Sequence, residues 1–84
     1  MKRKLSREYT KEKELFLKTF GAHIKKVRTS KGYSQDRVYL EGGLSRATLS
    51  RIESGLCDAQ IWTLVRIAET IGVPLKKLVD IETD

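Results

Sequence analysis

The chain is predicted to be an all-α, compact five-helix domain, and three features of its 84 residues say so. Apolar residues recur at spacings of three and four, as the buried stripe of an amphipathic helix requires, and no segment alternates apolar and polar residues as a half-buried strand does. Gly32, Gly43, Gly55 and Gly72 fall where the stripes end, and Ser34 and Ser45 fall where new ones begin. The composition suits one small domain, with 39% hydrophobic and 33% charged residues and a mean hydropathy of -0.41.

The elements follow in order. Residues 1–14 hold nine charges, six basic and three acidic, with only Met1, Leu5 and Tyr9 as larger apolar groups. Such a segment reads as a basic arm, disordered, grasping phosphates or extending the first helix from near Glu12. The domain proper is expected over 15–81, with a short acidic tail over 82–84. Phe16, Phe20, Ile24 and Val27, with Leu17 alongside, form the first helical stripe, stopped by Gly32. Ser34 offers an N-cap oxygen and Asp36 a first-turn charge to a second helix, which carries Val38 and Leu40 and breaks at Gly42 and Gly43. Ser45 caps a third helix with Leu49, Ile52 and Leu56 on one face, and Gly55 supplies its left-handed stop. Asp58 is the expected cap of a fourth, whose stripe is Ile61, Leu64, Val65, Ala68 and Ile71. Pro74 starts a short fifth with Leu75, Leu78 and Val79.

Charge and residue usage narrow the function. A formal charge of +6 and a pI near 9.7 point to polyanions, and nucleic acid before membrane. The apolar runs are far too short for a spanning helix or a signal-peptide core, so a cytoplasmic location is expected. Lone Cys57 and His23 give no metal cluster; Cys57 reads as an inert thiol and His23 as a surface residue, and no cofactor is expected. No enzyme is indicated, for the sequence shows no nucleophile with a base, no carboxylate pair and no phosphate-binding loop.

The stretch Gln35 to Glu53, QDRVYLEGGLSRATLSRIE, carries the most information. A helix, a turn with glycine at 43 and a helix on a serine cap make a helix-turn-helix. On a wheel with Leu49 at zero, Ile52 and Leu56 lie within roughly 60°, and Ala47, Ser50, Arg51 and Ser54 lie opposite. That outer face is small and basic, which lets a helix sit deep in a major groove while arginine forks reach guanine edges. Arg46 stands at its rim, long enough for a base or a phosphate. Glu53 falls at roughly 40°, among the apolar positions, so it needs a buried partner. Arg28 on the core edge of the first helix can supply a bidentate one.

Over residues 20–79 the chain resembles the lambda-repressor-like, XRE-type (Cro/cI-like) helix-turn-helix regulators. The likeness rests on FGAHIKKVRTSKGYSQ, Gly43, LSRATLSRIESG and TLVRIAETIGV, and on Ile24, Arg28, Gly32, Ser34 and Gln35, which meet the family spacing. It implies a DNA contact from Gln35, with Arg37 beside it, and a recognition surface of Ser45, Arg46, Ala47, Thr48, Ser50 and Arg51. It also implies the structural ion pair Arg28 with Glu53. Two positions depart from the family. Tyr39 stands where most members have alanine, so its ring must swing out or widen the helix crossing, reaching a phosphate or packing on the neighbouring helix. The loop Leu56 to Ala59 lacks the usual basic residue and proline, and Asp58 repels phosphate.

The function expected is a sequence-specific double-stranded DNA-binding transcription regulator. It acts as a homodimer on an inverted repeat, blocking polymerase or touching it. The alternatives are an antitoxin-type module that binds a partner toxin, and a restriction-modification controller protein. One recognition helix covers too little groove alone. Trp62, Leu78, Val79 and Ile81 are the expected dimer seam, since a terminal helix this short has more apolar groups than its own domain can take. A buried Trp62 indole is the competing reading.

Overall fold

The computed structural model describes residues 7–81, with side chains from residue 10 onward. Lys2 to Lys4 of the basic arm and the tail over 82–84 lie outside the described residues. The five helices are α1 (Arg7–Ser30), α2 (Gln35–Gly42), α3 (Arg46–Glu53), α4 (Ile61–Ile71) and α5 (Leu75–Val79), and no strand occurs among the described residues.

α1 begins eight residues before the expected domain boundary at 15. Strong helix formers fill 11–18, and Glu14 and Lys18 stand one turn apart in the favourable order, which supports a helix without a buried face. At about 1.5 Å per residue its 24 residues span roughly 36 Å, longer than the rest of the fold needs.

The core draws on every helix. Phe20, Ile24 and Val27 come from α1, Val38 from α2, Leu49 and Ile52 from α3, Leu64, Ile67, Ala68 and Ile71 from α4, and Leu78 from α5. Each fully buried aliphatic side chain contributes about 1.5 to 3 kcal/mol relative to exposure. α3 packs on α1 and α2, α4 on α2 and α5, and α5 returns to α1.

The structure departs from the sequence pattern at several positions. Ile67 is completely buried, although the sequence stripe of α4 passed over it, and Ile61, placed on that stripe, is exposed in the first turn. Leu40 and Leu56 are exposed as well. Leu56 leaves the α3 stripe because the helix has already ended at Glu53, and a helical period says nothing beyond the last turn. Phe16 is half exposed, stacked on Phe20 with ring centroids 6.0 Å apart. Asp58 is not the cap of α4: Gln60 holds that position without a side-chain cap bond, and Asp58 pairs with Lys13 at 3.2 Å. His23 is half-buried and donates from Nε2 to the Lys77 carbonyl at 2.8 Å, tying α1 to the end of α5.

Candidate nucleic-acid interface

The candidate reading unit is α2, its turn and α3. Ser34 Oγ accepts from the Arg37 amide at 3.0 Å and fixes the start of α2. Gly43 takes φ 71°, a left-handed conformation that a side chain resists, and its amide bonds to the Tyr39 carbonyl at 3.1 Å. Leu44 N–H shares that carbonyl at 3.2 Å, closing the turn. Ser45 Oγ then accepts from the Thr48 amide at 3.0 Å and donates to Thr48 Oγ1 at 2.8 Å, starting α3. Of the expected recognition residues, Ser45 and Thr48 thus spend their hydroxyls on the cap.

The rest of α3 divides as its sequence requires. Leu49, Ile52 and Glu53 face inward, while Arg46, Ala47, Arg51 and Ser54 are exposed and Ser50 is half-buried. Small side chains at Ala47 and Ser50 leave the backbone approachable between the two arginines. The Arg51 side chain makes no hydrogen bond or ion pair among the described residues, so its five donors face solvent.

At the inner end, Arg28 Nε and Nη2 donate to the two Glu53 oxygens at 2.6 and 2.9 Å, with both side chains almost wholly buried. Arg28 Nη1 continues to the Tyr33 carbonyl at 2.7 Å, and Gln35 Nε2 donates to Glu53 at 2.8 Å. Every buried polar side-chain atom among the described residues has a partner, which is the condition for such a network to be tolerated. Gln35 is therefore half-buried and engaged inward, with its amide nitrogen committed to Glu53.

The exposed charges of α2 also have partners. Arg37 bonds Glu41 at 2.9 Å and lies over the Tyr33 ring at 3.9 Å. The hydrogen bond to Glu41 raises the Arg37 pKa above its ordinary value, so the guanidinium stays charged. Arg46 Nη2 bonds Asp36 Oδ1 at 2.7 Å and stands 5.4 Å from the centre of the Tyr39 ring. The half-buried Tyr39 ring thus lies against the first residue of α3.

Two positioning residues had escaped the sequence reading. Gly21 is buried where α1 crosses α3, and a Cβ there would collide with the backbone carbonyls of Ile52 and Glu53. A glycine inside a strong helical stripe was the available signal. Arg66 of α4 donates to the Gly42 carbonyl from Nε at 3.1 Å and Nη2 at 2.6 Å, bracing the end of α2 from a helix 24 residues away. No local pattern announces that contact.

The expected dimer seam is altered. Leu78 is fully buried in its own core and Ile81 packs against it, so neither is the surplus apolar group the sequence suggested. Trp62 is 65% exposed, beside exposed Ile61, and Val79 is half exposed.

These features are shared with known proteins. The helix-turn-helix family model HTH_3 matches residues 24–78, most of the chain and all of the reading unit. The chain belongs to the HTH_3, XRE-type helix-turn-helix regulator family. It is 39% identical over 54 residues to the SPbeta prophage-derived HTH-type transcriptional regulator YonR of Bacillus subtilis, covering 64% of this chain and 50% of YonR. It is 36% identical over 64 residues to the HTH-type transcriptional regulator SlrR of Bacillus subtilis, covering 75% of this chain and 42% of SlrR. The chain thus spans half or less of these two relatives. The crystal structure of the restriction-modification controller protein C.AhdI from Aeromonas hydrophila superposes with a TM-score of 0.72 at 25% identity, covering 76% of this chain and 97% of C.AhdI. Each of the three is a regulator or controller, as the family of this chain implies. Among its described residues no helix is long and apolar enough to cross a membrane.

Proposed function

We propose that this regulator reads double-stranded DNA with the outer face of α3, as two copies on an inverted repeat, in the manner of a restriction-modification controller protein. The observation that carries the DNA reading is the division of α3: a small, basic, exposed face opposite a face locked into the core by Arg28 and Glu53. Arg46 and Arg51 are the base readers, Ala47 and Ser50 permit close approach, and Ser45 and the first turn of α3 lie against the backbone. Arg37 approaches from the exposed side of α2, and Gln35, its amide nitrogen held by Glu53, keeps its amide oxygen for a contact. The controller reading is favoured by coverage, since the match takes in 97% of C.AhdI but about half of YonR.

Pairing is required because one small module covers too little groove for useful specificity. Trp62, with Ile61 and Val79, offers the exposed apolar surface for a two-fold seam. Leu78 takes no part in it.

Selection from a random duplex pool tests the proposal. It should enrich an inverted repeat whose half-sites lie about 34 Å apart, and restriction-modification genes should adjoin the gene for this chain. Failure to enrich any sequence overturns the DNA reading. Sedimentation at micromolar concentration tests the seam, with the parent dimeric and Trp62→Asp monomeric yet folded.

A further inference from the structure

Arg46, the first residue of α3, is held by two side chains of α2. Asp36 and Tyr39 lie three residues apart and so share a face of α2. The carboxylate of Asp36 takes Arg46 Nη2 at 2.7 Å, and the Tyr39 ring stands 5.4 Å from the guanidinium carbon. Ser34 already supplies the side-chain cap of α2, so the Asp36 carboxylate adds only a first-turn charge there and is open to Arg46. Both members of the pair are 60% exposed, and an exposed pair adds little to stability.

From this arrangement we infer that Asp36 is a specificity-determining positioning residue that acts through Arg46. The inference rests on the DNA reading above. One N–H of the guanidinium is committed to Asp36, and among the described residues Arg46 makes no other hydrogen bond, which leaves the remaining edge of the fork for a base. The ring and the carboxylate limit the rotamers of a long side chain, so less freedom is lost when it meets a guanine edge. The same carboxylate repels phosphate. A phosphate of a non-cognate duplex must displace Asp36 or sit beside its charge, whereas guanine O6 and N7 carry no formal charge and meet no such barrier. The pair therefore lowers sequence-blind attraction while it aims the arginine.

The test measures binding of the parent, D36N, D36E, R46A and the D36N/R46A double variant to the selected operator, to each single-base variant of it and to a scrambled duplex, across salt. D36N should bind scrambled DNA more tightly, with a log–log salt slope steeper by about one. It should lose about tenfold of the preference at the base pair that Arg46 reads. D36E should keep most of that preference. R46A should abolish it, and adding D36N to R46A should change no base preference further. A D36N protein with the parental preference overturns the inference, as does an equal change when Arg46 is absent. Should D36N fail to fold in urea melts, D36S carries the same test: it removes the carboxylate and its hold on Arg46, so the base preference must fall while the scrambled duplex binds more tightly. A parent that binds no duplex overturns the DNA reading itself; a parent that selects an operator while D36N leaves it unchanged overturns this inference alone.

Discussion

The two ends of α3 each hold an arginine against a carboxylate at nearly the same distance, 2.6 Å for Arg28 with Glu53 and 2.7 Å for Arg46 with Asp36. Their surroundings differ completely. The side chains of the first pair are 6% and 3% exposed and those of the second 60% each. Bond length therefore says little about what an ion pair does. In the buried pair, loss of one partner strands a charge away from water, so the pair holds α1 and α3 together. In the exposed pair water takes either partner's place at small cost, so the arginine can be exchanged to another ligand. One helix thus carries a fixed end and an exchangeable end.

The comparison is broken most forcefully at the fixed end. Glu53→Ala should cost on the order of 3 to 5 kcal/mol in urea melts, because Arg28 and Gln35 both lose their acceptor. A shift below about 0.5 kcal/mol, typical of an exposed site, would contradict the role given to the pair. Gly21→Ala acts on the same end without touching a charge. Its methyl would meet the Ile52 and Glu53 carbonyls, and overpacking of that kind should cost about 1 to 3 kcal/mol, read as a lowered melting midpoint with the denaturant slope unchanged.

At the exchangeable end the effects separate by assay. Arg46→Ala should move stability by less than about 0.5 kcal/mol, while titration of the selected operator should show about 1 to 3 kcal/mol lost and one base pair relaxed. Arg51→Ala should behave the same way at a different base pair. If both retained operator discrimination, the outer face of α3 would not be the reading surface. The smallest effect belongs to Asp58→Ala. That residue meets Lys13 with both side chains more than half exposed, so thermal melts should show a loss within about 1 kcal/mol that fades with added salt.

Much of this was legible in the sequence, and the reasons differ residue by residue. Ser34 and Ser45 could be placed because capping is a local event, decided within four residues. Glu53 betrayed the buried pair because a carboxylate on an apolar stripe has no other tolerable explanation, and Arg28 was the arginine at the right height. Asp58 failed as a cap because the chain offers it Lys13, 45 positions away in sequence, a contact with no local trace. Centring the α4 stripe on Ile61, which the structure leaves exposed in the first turn, passes over the buried Ile67. The seam residues Leu78 and Ile81 were misjudged by counting apolar groups without knowing that α1 and α4 leave room for both. Polar side chains are engaged more fully than the sequence shows: Arg37, Arg46 and Gln35 all read as free for DNA, yet each has a protein partner in the unbound domain.

The grip of Arg66 on the Gly42 carbonyl bears on how rigid the operator spacing must be. Arg66 lies one turn along α4 from Trp62, the residue offered to the second copy, and its guanidinium holds the end of α2. In the proposed dimer this bond joins the seam and the reading unit as two arms of one lever. In a pair of copies joined at Trp62, the separation of the two α3 helices is set by the protein, and a half-site displaced by one base pair cannot be met by tilting the turn. The mismatch falls on the duplex, which must bend or twist to bring its grooves into place, so flexible pyrimidine–purine steps between the half-sites should matter although no side chain touches them.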